Sequence, residues 1–119
     1  MTGNINWVLE VNIKDGELDN LKAVMADMVA ATEVDEPGTT HYKWYISADE
    51  KVCHTHEHFV DSAATMAHLG NFGAKFAERF LGAVEPTRLM VYGNPSDEVR
   101  AALAGFGAVH MTQLSGFAR

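Results

Sequence analysis

Residues 40–59 have the sequence THYKWYISADEKVCHTHEHF, which contains two strand-like runs joined by a short polar turn. The first run, THYKWYIS (40–47), is β-branched and aromatic, and the second is VCHTHEHF (52–59). Because only residues 48–51 separate the runs, they predict an antiparallel hairpin. The fold follows from the elements on either side of this hairpin.

One strand and one helix are predicted before the hairpin. NWVLEVNI (6–13) alternates between apolar and more polar positions, as a strand with one strongly apolar face does. Asp15 is then placed to cap a helix that ends in EVDEPG (33–38). The helix is indicated by apolar residues at helical spacing: Leu18, Leu21, Met25, Met28 and Val29.

A second helix and a further strand are predicted after the hairpin. Asp61 opens the helix, and its glycines Gly70 and Gly73 predict a kink or break, because each costs about 1 kcal/mol against alanine. PTRLMVYG (86–93) predicts the fourth strand. A short helix capped by Ser96 and ended at Gly105 follows, and residues 107–114 are compatible with a fifth, terminal strand.

The order β-α-β-β-α-β, followed by a helix and a strand, predicts an α+β protein with a ferredoxin-like sheet. A chain of 119 residues has the length of one domain, covering 1–119. Two helices cover only one face of such a sheet, yet the second strand carries Tyr42 and Trp44 on one face and Tyr45 on the other. We therefore expect a homodimer with the open faces packed together and a ligand cavity between them.

Composition argues against several classes of partner. The formal net charge is −7 and only nine lysines and arginines are present, so nucleic acid is not an expected partner. Cys53 is the single cysteine, which rules out an internal disulfide. The first residues have neither a basic start nor an apolar run suited to export, and no apolar stretch has the length of a membrane span. We expect a cytoplasmic protein without a membrane partner.

Three histidines alternate along VCHTHEHF, and they raise the question of a metal site. His54, His56 and His58 share one face, and imidazoles two residues apart on a strand can converge on zinc or iron. All three, however, span roughly 13 Å, and no obvious carboxylate ligand shares their face. We predict structural histidines and no metal, and a metal enzyme that uses these histidines stays an alternative.

Glu57 points to the side of the strand opposite the histidines. A glutamate beside an aromatic residue in a buried strand can act as a general acid or base. The structural alternative is a salt bridge to Lys43, Arg79 or Arg88. Cys53 lies on the same side as Glu57 and is predicted to be a small core residue.

The segments EPGTTHYKWYIS and VCHTHEHFVDSAATMAHLGNFGAKF resemble the antibiotic biosynthesis monooxygenase domain family. Members of that family have a proline-glycine before the second strand, a glutamate near the end of the third strand and an alanine-histidine-leucine in the following helix. The matching residues here are Pro37-Gly38, Glu57 and Ala67-His68-Leu69. The resemblance covers a core of about 6–93, and the segment 94–119 looks like an extension.

The resemblance implies a dimeric α+β barrel and, for several members, oxidation of a phenol or quinol by O₂ without metal, flavin or haem. It implies Glu57 and His68 as catalytic residues and Trp44, Tyr42 and Tyr45 as contacts for a small aromatic substrate, with no cofactor. For His68 the alternative is an exposed position on the second helix. A dimeric protein that binds a small apolar ligand without converting it is the alternative function.

Overall fold

Five strands form one mixed sheet in a computed structural model of the chain, which describes residues 4–119. The strands are β1 (Ile5–Ile13), β2 (Thr39–Ile46), β3 (Val52–Phe59), β4 (Val84–Tyr92) and β5 (Val109–Met111). The helices are α1 (Leu18–Asp35), α2 (Ser62–Lys75), α3 (Ala77–Ala83) and α4 (Asp97–Leu103), with a 3₁₀ turn at Ala104–Phe106.

The strand order is β2-β3-β1-β4-β5. β1 lies in the middle and pairs antiparallel with both β3 and β4, while β2 and β3 form the predicted hairpin. β5 is shorter than predicted and pairs parallel with the end of β4. This is the predicted ferredoxin-like βαββαβ arrangement with an added helix and strand.

The strands bury one face of the sheet against the helices. In β3 the buried residues are those at odd positions, Cys53, Thr55, Glu57 and Phe59, so the three histidines lie on the opposite face, as predicted. Glu57 pairs in register with a residue of each neighbouring strand, Trp7 on one side and Tyr42 on the other. The register therefore places a carboxylate among aromatic side chains on the helix-covered face.

The starts of the helices were predicted with mixed success. Asp61 caps α2 by accepting a hydrogen bond from the amide of Ala64 at 2.8 Å, and Ser96 caps α4 by accepting one from Val99 at 3.3 Å. The prediction that Asp15 caps α1 was wrong, because that residue lies in a turn and the N-cap position is Glu17. Gly16, with a φ of +78°, makes this turn possible between β1 and α1.

The predicted break at Gly70 and Gly73 was also misplaced. α2 continues through both glycines to Lys75, and the chain leaves the helix at Phe76 before α3 begins. The helix tolerates the glycines because its other residues, including Leu69 and Phe72, pack against the two core clusters. A cost of about 1 kcal/mol per glycine does not outweigh that packing.

Gly38 allows the turn before β2 to approach α2 closely. A Cβ atom on this residue would lie 2.6 Å from the Cβ of Ala64, so Gly38→Ala forces the turn and the helix apart. We expect it to lower the free energy of unfolding by about 1 to 3 kcal/mol. Gly70→Ala is the matched control, since in the described part of the chain nothing lies within 4 Å of its added Cβ. It should raise stability by up to about 1 kcal/mol. Urea denaturation of both variants measures these changes. If Gly38→Ala leaves the free energy of unfolding unchanged, the close packing of the turn against α2 is contradicted.

The chain after β5 runs over the surface. Residues 112–119 are exposed, and Leu114 and Phe117 are among the most exposed large apolar side chains. Within residues 4–119, no helix combines the length and the apolar character needed to cross a bilayer.

Candidate functional site

His68 is buried in the middle of a cluster with two carboxylates. It lies on the face of α2 that packs against the sheet, and its side chain is 7% exposed. Its Nδ1 is 2.7 Å from Oε1 of Glu36, and its Nε2 is 2.9 Å from Oε1 of Glu57. The two carboxylates are equally buried, with exposures of 5% and 6%. Such a cluster in the core of a small domain calls for a functional explanation, since buried charges are costly.

Neighbouring polar groups hold both carboxylates in place. Glu36 accepts hydrogen bonds from Thr39 Oγ1 at 2.9 Å and from Asn71 Nδ2 at 3.1 Å. Glu57 accepts one from Thr55 Oγ1, 2.7 Å from its Oε2. Each carboxylate is therefore fixed by groups other than His68 as well as by His68.

One oxygen of Glu57 keeps an unused capacity to accept a hydrogen bond. The contact of Oε1 with His68 Nε2 is within ion-pair distance, but its geometry is not that of a hydrogen bond. Among residues 4–119, neither Oε1 of Glu57 nor the indole nitrogen of Trp44 has a hydrogen-bond partner. One unsatisfied acceptor and one unsatisfied donor thus remain in the same region of the core.

The carboxylates determine the charge of His68. Burial alone would lower the pKa of this histidine, but the hydrogen bond to Glu36, the close contact with Glu57 and the charges of both carboxylates raise it to about 10. For Glu36, burial acts to raise the pKa, but His68 lowers it below the usual range for a glutamate. Burial, followed by the charge of Glu57, raises the pKa of Tyr42. At neutral pH His68 is therefore an imidazolium, and Tyr42 is an uncharged phenol.

A cavity lies between the sheet and the helices, next to this cluster. The space open to the centre of a water molecule is about 50 Å³, several times what one water requires. Its lining is mainly apolar and aromatic, with the polar groups confined to one region. The lining residues are Trp7, Leu9, Met28, Tyr42, Trp44, Thr55, Glu57, His68, Leu69, Phe72, Phe80, Leu103 and Phe106. We expected a cavity between two sheets; this one lies within a single chain, because Tyr42 and Trp44 face the chain's own helices.

Four of the five predicted site residues line this cavity: Glu57, His68, Tyr42 and Trp44. Tyr45 does not, because it lies on the opposite face of β2, where it is half exposed and contacts the ring of His56. The alternative of an exposed His68 was wrong, since the residue is buried. The roles of these residues in binding or catalysis stay predictions.

The salt-bridge alternative for Glu57 is not what the structure has. Arg79 pairs instead with Asp27, at 2.8 Å. In the described chain Glu57 forms no ion pair with a lysine or arginine, and its charged neighbour is His68. Cys53 is buried in the core, where burial raises its pKa to about 11, so it is a poor nucleophile.

The three histidines of β3 have separate surroundings. His54 lies 3.3 Å from a carboxylate oxygen of Glu10, His56 packs against Tyr45, and His58 stacks on His41 with ring centres 4.4 Å apart. Within the range 4–119, no three histidine, cysteine or acidic side chains are arranged to hold a metal ion.

Sequence reasoning missed the second half of the cluster, Glu36 and Asn71. Glu36 immediately precedes the Pro37-Gly38 pair on which the family resemblance rests. Asn71 is three residues after His68, on the same face of α2. The helical spacing gave a signal for Asn71, whereas the position of Glu36 depends on the close approach at Gly38.

The fold is shared with several solved structures. MupZ from Pseudomonas fluorescens superposes with a TM-score of 0.87 at 23% identity, over 100% of this chain and 91% of that chain. A protein from Caulobacter crescentus assigned to the antibiotic biosynthesis monooxygenases gives 0.66 at 18% identity, over 80% of this chain and 91% of that one. SnoaB, a cofactor-independent oxygenase from Streptomyces nogalater, gives 0.66 at 13% identity, over 80% and 96%. The sequence itself matches no family model and no curated protein.

These structures define the class of fold: a ferredoxin-like α+β fold found in antibiotic biosynthesis monooxygenases. The resemblance stated from the sequence is confirmed at this level. SnoaB and the Caulobacter protein leave about a fifth of the chain unmatched, whereas MupZ matches all of it. The division into a core of 6–93 and an extension of 94–119 stays a prediction.

Proposed function

We propose that this protein is a cofactor-independent monooxygenase that oxidises a small aromatic phenol or quinol with O₂. One observation carries the proposal: a buried carboxylate oxygen, Oε1 of Glu57, has no hydrogen-bond partner in the described structure and borders an apolar, aromatic cavity. A hydroxyl on an apolar ring is a group that such an acceptor binds and from which it can remove a proton.

The proposed chemistry begins with proton transfer. Glu57 accepts the proton of the substrate hydroxyl, and the remaining anion gives an electron to O₂ directly. One oxygen atom then enters the ring, which is oxidised to a quinone, and the other leaves as water, so the substrate supplies all four electrons that O₂ takes up. The positive charge of His68 next to Glu57 stabilises negative charge in the site, while the apolar walls exclude water. Tyr42 and Trp44 contact the ring of the substrate, and the indole N–H of Trp44 can donate to a substrate oxygen. Tyr45 has no part in this cavity.

The fold shared with SnoaB supports an oxidation by O₂ over other reactions that begin with proton transfer, because SnoaB is a cofactor-independent oxygenase. A second candidate is a proton-transfer reaction that does not use O₂, such as an isomerisation. The observation that favours it is the imidazolium of His68, which with Glu57 supplies an acid and a base at one cavity.

We further propose that the protein acts as a homodimer in the cytoplasm. The sheet face away from the helices carries exposed apolar side chains on three strands, Tyr45, Tyr92, Val109 and Met111. Tyr92, Val109 and Met111 lie together on the neighbouring strands β4 and β5, while Tyr45 lies at the other edge of the sheet, and a second copy packed on this face would cover them.

Oxygen uptake by chelator-treated protein tests the proposal. The probes are hydroquinones, naphthols and anthrones, and light scattering gives the mass of the protein used. We expect the protein to have the mass of a dimer and to consume O₂ with at least one of these probes. Probe conversion without O₂ consumption supports the second candidate, and binding without conversion indicates a ligand-binding protein. If chelation abolishes the oxygen uptake and the His56→Ala variant also loses it, the proposal is wrong and the protein is a metal enzyme.

A further inference from the structure

Glu36 connects the buried cluster to the surface of the protein. On one side its Oε1 accepts a hydrogen bond from Nδ1 of His68, at 2.7 Å. On the other side its residue borders a surface groove of about 350 Å³ that includes the exposed Glu33, Pro37 and Thr40. Tyr42 lines both the groove and the internal cavity, whereas Glu36 borders only the groove.

We propose that Glu36 is a positioning residue: it fixes the ring of His68 with Nε2 toward Glu57, maintains its positive charge, and is reached by small solutes through the groove. This inference rests on the proposed function for its catalytic meaning. Its structural content, the control of His68 by a carboxylate near the surface, is independent of the reaction.

The geometry supports a fixed ring. Thr39 and Asn71 hold the carboxylate of Glu36 from two directions, so its Oε1 stays in line with Nδ1. Aromatic rings surround the imidazole, with ring centres 5.4 Å away for Tyr42 and 5.2 Å away for Phe59. If the hydrogen bond from Nδ1 were lost, only packing and the contact of Nε2 with Glu57 would orient the ring, and a ring flip would place carbon atoms where the two nitrogens now lie.

The charge of His68 depends on few groups. The titratable side chains that face it are Glu36 from the turn after α1, Tyr42 from β2 and Glu57 from β3. Within residues 4–119, neither glutamate pairs with a lysine or an arginine. Removing the Glu36 carboxylate therefore removes one of two negative charges that keep the imidazole protonated.

The position of Glu36 beside the groove makes chemical rescue possible. Glu36→Ala leaves a space next to Nδ1 that lies close to a groove on the surface, and formate is a carboxylate small enough to enter such a space. Formate bound there restores the missing negative charge and acceptor. Glu36→Gln keeps the shape but not the charge, and it leaves no space for formate.

The experiment follows the side-chain nitrogens of His68 by ¹⁵N NMR in the full chain. In Glu36→Ala we expect the titration midpoint of His68 to fall by about 1 to 3 pH units, and formate to restore it in a saturable way. Glu36→Gln should show the lower midpoint without rescue. Glu33→Ala, which alters an exposed carboxylate of the same groove, should behave as the unmodified protein.

Two outcomes overturn the inference: an unchanged midpoint in Glu36→Ala, or a lowered midpoint that formate does not affect although the variant is folded by circular dichroism. Oxygen uptake, measured in parallel, should fall about tenfold or more in Glu36→Ala and recover with formate. If NMR shows the lower midpoint of His68 in Glu36→Ala and its recovery with formate, but the unmodified protein consumes no O₂ with any probe, the proposed function fails and the role of Glu36 stands.

Discussion

Glu57→Gln is expected to lower kcat for oxygen uptake by about 10²- to 10⁴-fold with any phenol that proves to be a substrate. An amide has nearly the shape of the carboxylate and can still contact Thr55 and His68, but it cannot accept a proton from the substrate. KM should change much less than kcat, because the ring is bound mainly by the apolar walls of the cavity. Steady-state kinetics in an oxygen electrode measure both constants.

Glu10→Gln is the matched control for this prediction. It makes the same chemical change to a carboxylate on the other face of the sheet, where Glu10 pairs with His54 at 3.3 Å. Its kcat should stay within about twofold of the unmodified protein, as expected for a change at a partly exposed ion pair. If Glu57→Gln were as active as Glu10→Gln while remaining folded, Glu57 would not be the base.

Much of the fold was predictable because it is encoded locally. The alternation of side chains in VCHTHEHF gave β3 its observed bounds, Val52–Phe59, and placed Glu57 opposite the histidines. The caps Asp61 and Ser96 were recognised because a capping side chain bonds to backbone groups two or three residues away. The break at Phe76 was missed because it depends on how α2 and α3 both pack against the core.

The candidate site was only half predictable, since it joins segments that are distant in sequence. Alternation separates Tyr45 from Tyr42 and Trp44, but it does not say which face of β2 the helices cover. Glu36 follows the end of α1 in a segment that was predicted only as a helix stop. Its role depends on the contact between Gly38 and Ala64, which brings the turn against α2 and Glu36 to His68.

The cluster should be visible in the stability of the protein as well as in its activity. One imidazolium is buried with two carboxylates, so each carboxylate relies on His68 and on hydrogen bonds for compensation. The free energy of unfolding of a protein with such a cluster in an otherwise apolar core depends on the protonation of one histidine. It should therefore decrease as the pH rises and the proton on the histidine becomes harder to keep.

The free energy of unfolding is expected to fall as the pH rises above 7. The pKa of His68 is about 10 in the folded chain, against an ordinary value of 6.5. Below pH 6.5 both states bind the proton and the full stabilisation is present; between 6.5 and 10 only the folded state binds it, so stability is lost progressively. The expected slope is about 1 kcal/mol per pH unit, reaching about 3 to 5 kcal/mol by pH 10. Urea denaturation at constant ionic strength between pH 7 and 8.5 measures it.

His68→Gln isolates this contribution, because glutamine can donate to one of the carboxylates but does not titrate. We expect the variant to be less stable than the unmodified protein by about 3 to 5 kcal/mol at pH 7, with a smaller difference at pH 8.5.

The pH range for these measurements ends at 8.5 because burial also raises the pKa of Cys53, from 9.0 to about 11, and that of Tyr42, so both groups reduce stability at higher pH. It begins at pH 7 because burial and neighbouring histidines lower the pKa of His58, which acts below 6.5 with the opposite sign. Parallel pH profiles for the two proteins between 7 and 8.5 would show that His68 carries no buried charge, and the catalytic role assigned to its imidazolium would then fail as well.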